Sequence, residues 1–203
     1  MRVTITTQST GTMAEAFLPL AMVKQGIRVR HTHEDAKITG LRNAAIVKCE
    51  AYARIAILQK TITLQFRGNH HEGDVYHVSR RLVDLDRVQN GIKLPYPLVS
   101  ALVSLNGLER RHRTPHLVNA RHYMLEDNRW LRWKDQHVHR FDNYILVYTS
   151  GYALMPDSLD KDALRQAVID TVQDAYDNPG QSTDLPRNVK QALKPYWNSP
   201  LQS

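Results

Sequence analysis

Thr61-Ile62-Thr63-Leu64-Gln65-Phe66 alternates polar and apolar residues one by one, directly after a segment with a different period. In that earlier segment Ile38, Leu41, Ala45, Cys49, Tyr52 and Ala56 recur at steps of three and four. A step of two lines one face of a strand, whereas steps of three and four keep one face of a helix apolar. The switch falls after Leu58, so a long helix gives way there to a strand that faces a core on one side. Thr32-His33-Glu34-Asp35 predicts the start of that helix, with Thr32 as the cap and the acidic pair at the positive end of the dipole. Arg42, Lys48 and Arg54 lie largely off its apolar stripe. Gly40 weakens its interior by roughly 1 kcal/mol relative to alanine.

Upstream, Met1–Thr7 alternates like a strand and runs into the polar stretch Gln8–Thr12. A short helix is expected from about Leu18 to Gln25. Pro19 suits a first turn, where its missing N–H costs nothing, and Gly26 is a natural stop. Thr12 and Glu15 offer an alternative, a capping box that starts the helix earlier and leaves Pro19 as a kink. Downstream, the period-two pattern returns in Asp74–Ser79, Val99–Leu105, His116–Met124, Arg129–Trp133 and Tyr144–Thr149. Turn-forming residues separate these runs: Arg67-Gly68-Asn69, Gln89-Asn90-Gly91, Asn106-Gly107 and Asp127-Asn128. After Pro156, Leu164, Val168, Thr171, Val172 and Ala175 share a helical face that ends at Asn178-Pro179-Gly180. A second helix starts near Leu185-Pro186, with Val189, Leu193 and Tyr196 along one side.

The order is therefore helices, strands, helices. Each helical end needs a partner for its stripe, and the simplest partner is the other end. The expected fold class is α+β: a discontinuous helical bundle of residues 1–58 and 151–203, carrying an inserted, mostly antiparallel β module of residues 59–150. The chain's 203 residues suffice for one such core with an insertion.

Charge is uneven. The net +7 divides into +5 over residues 1–60, +4 over 61–150 and −2 over 151–203. A basic body with an acidic end suits a polyanionic or acidic partner, and equally a solvated surface. No run of 18 apolar residues exists, which argues against a membrane span. The opening residues lack the apolar block of a signal peptide, so the protein is expected to be made in the cytoplasm. The one cysteine, Cys49, has no internal disulfide partner and falls on the helical stripe, where a free thiol packs as a small hydrophobe.

Several groups invite chemistry. His70-His71, His112 with His116, and His137 with His139 each offer two metal ligands, but a zinc site needs three or four. They are expected to be exposed polar histidines, with no metal and no cofactor. Asp84 and Asp86 alternate, yet no acidic or lysine partner motif accompanies them as a Mg²⁺ nuclease would require. No nucleophile elbow or phosphate-binding glycine loop is present, and the chain is not expected to be an enzyme. Arg129-Trp130-Leu131-Arg132-Trp133-Lys134 mixes cations and aromatics as nucleic-acid surfaces do. The plainer expectation is a hairpin that packs its tryptophans and leaves cations at the rim. Glu109-Arg110-Arg111-His112-Arg113 is either a solvated loop or, through Arg110, Arg111 and Arg113, a contact with another subunit or partner protein.

Ile145-Leu146-Val147-Tyr148-Thr149-Ser150-Gly151-Tyr152, then Met155-Pro156, then Arg165-Gln166-Ala167-Val168, resembles the bacteriophage head–tail connector (adaptor) family. The similarity continues through Tyr176-Asp177-Asn178, Leu185-Pro186, Val189, Ala192-Leu193 and Pro195-Tyr196. Gly26-Ile27-Arg28-Val29, His33-Glu34-Asp35 and Ile92-Lys93-Leu94-Pro95-Tyr96-Pro97 are similar to further elements of that family. Together these stretches cover roughly residues 18–66, 92–105 and 144–197; residues 106–143 match no motif. The resemblance implies a virion protein of the neck. It would form a homo-oligomeric ring, often a dodecamer, between the portal and a stopper or tail component, with a channel for DNA. It also implies a carboxy-terminal segment that docks on the portal, for which Tyr196, Trp197 and Leu201 are candidates. Tyr196 and Trp197 as a cover for the bundle's end is the alternative. The rival function is a DNA-binding module that uses the basic β region directly.

Overall fold

The computed structural model describes residues 2–7, 10–67, 92–96, 98–109, 114–134, 141–153, 158–180 and 184–196. Two compact units emerge, Met1–Thr6 with Lys60–Ser150, and Thr7–Gln59 with Gly151–Ser203.

In the helical unit, α1 (Thr10–Phe17) and α2 (Leu20–Gly26) are separated at Pro19. The short helix expected from about Leu18 to Gln25 is α2, and α1 precedes it as a separate helix rather than running on through a kink at Pro19. Proline cannot donate, so Pro19 ends one ladder and stands before the next, its carbonyl accepting from Met22 and Val23. Glu15 accepts the Leu20 N–H at 3.1 Å, so the capping partner of α2 comes from the preceding helix.

The long helix α3 (Asp35–Ala53) starts after Glu34, and the Thr32 carbonyl receives the Asp35 N–H. Its buried face is Ile38, Arg42, Ala45, Ile46, Cys49, Glu50 and Ala53. This face is rotated from the expected stripe: Tyr52 is exposed, Arg42 is buried, and Ala56 lies beyond the helix end, which Arg54 closes in a left-handed conformation (φ 55). The rotation arises because Arg42 and Glu50 have polar partners inside, which residue type alone does not reveal.

The carboxy-terminal helices are α4 (Leu159–Asp177), capped by the Ser158 side chain, and α5 (Arg187–Leu193), followed by a 3-10 turn over Lys194–Tyr196. α4 buries Leu164, Ala167, Val168, Ile169, Thr171 and Val172 and packs on α3, where the Cys49 Sγ and Thr171 Oγ1 lie 3.7 Å apart. Gly26 stands so close to Ile169 that a Cβ there would meet its side chain at 2.5 Å. The amino- and carboxy-terminal helices thus share one core.

The β unit contains two sheets. In the first, β1 (Arg2–Thr7), β2 (Lys60–Arg67), β8 (Asn143–Ser150), β4 (Val99–Leu108) and β5 (His116–Leu117) lie in that order. β8 is central and antiparallel to both neighbours, with Lys60 opposite Ser150 and Leu64 opposite Leu146. Two irregularities in β4, between Val99 and Ala101 and between Leu102 and Ser104, shift its register against β8. The second sheet is β3 (Ile92–Lys93), β7 (Trp130–Trp133) and β6 (Tyr123–Glu126). Its hairpin turns through Asp127 and Asn128 at φ 50 and 49, a conformation those residues tolerate well. Ile62, Leu64, Leu105, Tyr144, Leu146 and Tyr148 from the first sheet meet Leu94 and Leu131 of the second in one core.

Two expectations change here. Residues 1–6 belong to the β unit, because their alternating backbone finds its hydrogen bonds on the open edge of β2. The run His116–Met124 is two strands in different sheets, divided at a turn in which the Asn119 side chain accepts the Arg121 N–H at 3.0 Å. The expected strand Asp74–Ser79 lies outside the described residues.

Candidate functional site

Three features of the helical unit and one of the β unit bear on function. At the closed end of the bundle, the Tyr196 hydroxyl donates to Asp160 Oδ1 at 3.0 Å, and its ring meets Tyr152 edge-on at 6.4 Å. Burial first, and then the Asp160 carboxylate, push the phenol up to about 12. Tyr196 is thereby tied to the starts of α4 and of the segment after β8. The other members of its expected set, Trp197 and Leu201, lie outside the described residues, as do Arg110, Arg111 and Arg113.

Where the chain leaves α3 for the β unit, Glu50 Oε1 accepts the N–H groups of Ile57 and Leu58 at 2.8 and 3.0 Å. Where it returns, Tyr152 and Ala153 donate to the carbonyls of Ala56 and Ile57, and Lys161 Nζ reaches the Ala153 carbonyl. Gly151, at φ 154, lies against Leu58 and Gln59; a Cβ there would sit 2.6 Å from Gln59 Cα. A buried carboxylate and a buried ammonium thus satisfy backbone groups that neither helix nor sheet supplies. Neither residue was singled out from the sequence; a charge inside an otherwise apolar helical face was the available signal.

A solvent-open cleft of about 720 Å³ lies between α2 and the approach to α3. Leu20, Ala21 and Val29 form its apolar wall, and Lys24, Arg28, Arg30 and Asp35 its charged rim. Lys24 pairs with Asp35 at 2.7 Å. Arg28, held at φ 59, and Arg30 are both exposed, and among the described residues neither guanidinium has an ion-pair partner. Beside the cleft, His31, His33 and Glu34 bring potential ligand atoms within 4.8 Å of one another, a grouping the histidine count alone did not single out. The two imidazoles stack at 3.8 Å and 19°, however, so their in-plane lone pairs run side by side rather than converging. Glu34 is already engaged: it accepts from Tyr176 at 2.5 Å and from Lys37 at 3.3 Å. The Tyr176 bond is the main reason its carboxyl lies below the usual range.

In the β unit the basic–aromatic hairpin turns Leu131 and Trp133 toward its own core and leaves Arg129 and Lys134 exposed. Leu131 is fully buried and Trp133 packs against Tyr123 and Tyr144. Arg132 pairs with Glu126 across the hairpin. Burial drives the Tyr144 phenol up to about 12. Of the expected histidine pairs, only His116 is described, and it stacks near Phe141 at 6.1 Å. His70, His71, His112, His137, His139, Asp84 and Asp86 lie outside the described residues.

No family model matches the chain, and no curated protein does. Solved structures do. The chain superposes on one from the virion of a native gene transfer agent (GTA) particle, with a TM-score of 0.67 over 98% of this chain and 96% of that one, at 16% identity. It also superposes on chains from the neck of an empty GTA particle computed with C6 symmetry and of a native particle computed with C12 symmetry. Those TM-scores are 0.63 and 0.61, at 16% and 18% identity and the same coverage. The chain shares its fold with a neck chain. At such identities the likeness is one of fold, and at that level it agrees with the resemblance to head–tail connectors read from the sequence. These neighbours are chains of a virion and of particle necks. Among the described residues no helix is long and apolar enough to cross a membrane.

Proposed function

We propose that this chain is a head–tail adaptor of a phage-like particle. It is a structural protein that forms a homo-oligomeric ring, a dodecamer, between the portal and a stopper or tail-completion protein, and leaves a channel for DNA. One observation carries this proposal. The whole chain, helical ends and β insertion alike, has the fold of chains from GTA necks, one of them computed with twelvefold symmetry. The function is geometric: a rigid bundle supplies the ring and exposed segments supply the contacts. Its place is the virion neck, and it needs no cofactor.

Twelve copies at +7 each carry about +84 before screening, while duplex DNA carries one negative charge per roughly 1.7 Å. A channel lined with most of that charge would hold DNA back. The basic β unit therefore faces outward or toward neighbouring proteins, and the less basic carboxy-terminal helices stand nearer the channel. Arg110, Arg111 and Arg113 pointing into the channel would overturn this placement. Tyr196 anchors the closing turn to the bundle, and the segment that follows, with Trp197 and Leu201, is the portal contact.

Electron microscopy of the chain mixed with its portal protein tests the proposal. A ring capping the portal is expected, and a mixture in which the portal stays uncapped overturns it. A chain truncated after Tyr196 is expected to fold but not to cap the portal. The rival, a module that binds DNA through the β unit, is less supported because Trp133 of the hairpin packs against Tyr123 and Tyr144 instead of lying open for a base to stack on.

A further inference from the structure

The helical unit carries two exposed patches that match each other and have no covering partner among the described residues. One is the cleft between α2 and α3, with its apolar wall of Leu20, Ala21 and Val29 and the unpaired guanidiniums of Arg28 and Arg30. The other is the start of α4. Leu159 there is 89% exposed, the most exposed large hydrophobic side chain among the described residues. Asp160 and Asp162 flank it, and the Asp162 side chain is 60% exposed even while it pairs with Arg165. An apolar knob flanked by two carboxylates, of which Asp160 also accepts the Tyr196 hydroxyl, faces solvent at one place, and at another lies an apolar hollow whose two cations have no ion-pair partner among the described residues.

Leu159, being 89% exposed, is not seated in the cleft of its own molecule. Gly26, at the end of α2 beside the cleft, packs against Ile169, and Leu159 lies ten residues earlier on the same straight helix. That separation is about 15 Å along the axis. Two different patches that complement each other at different places on one subunit make a heterologous, head-to-tail contact, the kind that generates rings. Exposed leucines are common singly. Here the leucine comes with carboxylates, and the hollow comes with cations that lack an ion-pair partner among the described residues.

We infer that the start of α4, with Leu159, Asp160 and Asp162, docks into the Arg28–Arg30 cleft of the next copy of this chain. The inference rests on the ring proposed above and assigns its subunit contact. Leu159 fills the space against Leu20, Ala21 and Val29, while Arg28 and Arg30 take the carboxylates at the rim. Such rim pairs set orientation and register more than affinity, and they weaken with salt.

Cysteine cross-linking in the portal mixture tests the contact. The Gln25→Cys/Ala163→Cys chain, which leaves Leu159 and the apolar wall intact, should give a ladder of covalent oligomers with a short bis-maleimide, whereas each single variant should give at most dimers. Cys49 is buried, so it does not compete. Arg28→Glu with Arg30→Glu should lower the cross-linked fraction about tenfold or more, and adding Asp162→Arg should restore much of it. All these positions are exposed, and unchanged melting of each variant shows that the fold is intact. Wild-type rings with no ladder, or a ladder indifferent to the charge reversal, overturn the contact while the ring stands. Wild-type chain that forms no ring on the portal overturns the ring, and this contact with it.

Discussion

At the scale of single residues, Cys49 and Arg42 show how burial decides a side chain's behaviour. The Cys49 thiol is fully buried between α3 and α4, and desolvation pushes it up to about 11 against a small opposing effect from the Thr171 hydroxyl. A thiolate is the reactive form, so Cys49 is expected to resist a thiol reagent at mildly alkaline pH and to react only when urea unfolds the chain. Rapid labelling of the native protein would contradict this packing. Arg42 is 2% exposed; it donates to the Leu18 carbonyl at 3.0 Å and pairs with Glu15. Arg42→Ala leaves that carbonyl unsatisfied and a hole in the core, and should cost about 2–3 kcal/mol in a denaturant melt. Glu15→Gln should cost much less, because Glu15 remains largely in water. The Arg42 hydrogen bond first, and the Leu20 N–H second, hold the Glu15 carboxyl below its ordinary 4.5. A depressed folded-state value means that its stabilisation is complete above that pH and is lost as pH falls through the lowered value. An acid titration of stability should therefore lose its Glu15-dependent part below about pH 4.5, and Glu15→Gln should flatten that part.

At the scale of elements, the crossing between the helical unit and the β insertion is the point most sensitive to change. Glu50 satisfies two consecutive backbone N–H groups from inside the core. Glu50→Ala should cost about 2–4 kcal/mol in a thermal or urea melt, whereas Glu50→Gln keeps a carbonyl acceptor and should recover most of it. Equal losses for the two variants would mean that the charge rather than the acceptor matters. Gly151 has no room for a Cβ beside the Gln59 backbone and holds a φ that other residues avoid. Gly151→Ala should destabilise by about 2 kcal/mol or more. The sequence marked this crossing through the change of period after Leu58 and through Gly151 in the family-like run. The role of Glu50 was illegible, because a helical acid usually points to water and only the fold of the segment after α3 brings the Ile57 and Leu58 N–H groups to it. The rotated face of α3 has the same origin: Arg42 was placed off the stripe by its charge, yet the Leu18 carbonyl draws it inside.

At the scale of the whole molecule, the likeness to neck chains runs through both units, and the strongly basic charge needs a location. If the β unit bound DNA directly, the isolated chain would hold duplex tightly, with a steep loss of affinity as salt rises. The adaptor proposal expects the opposite: weak, unselective retention in a gel-shift salt series, because charge outside the channel serves contacts between proteins. Tight binding by the monomer would favour the rival. The basic cleft of the helical unit also fits the adaptor, since it joins cations to an apolar wall as protein interfaces do and phosphate tracks do not.

Read alone, the chain determined its own architecture in outline. A period of three to four at both ends and of two in the middle leaves the ends to bury each other, because an amphipathic helix without a partner exposes its apolar stripe. It also carried the family-like order of strand, glycine, proline and helix around Gly151. Only the tertiary structure decided that Met1–Thr6 joins the sheet, that Arg42 and Glu50 turn inward, and that Arg28 and Arg30 edge a cleft while Leu159 stands free. Those outcomes depend on which distant backbone groups and charges come within reach once the chain has folded. A local pattern of residue types has no access to that information.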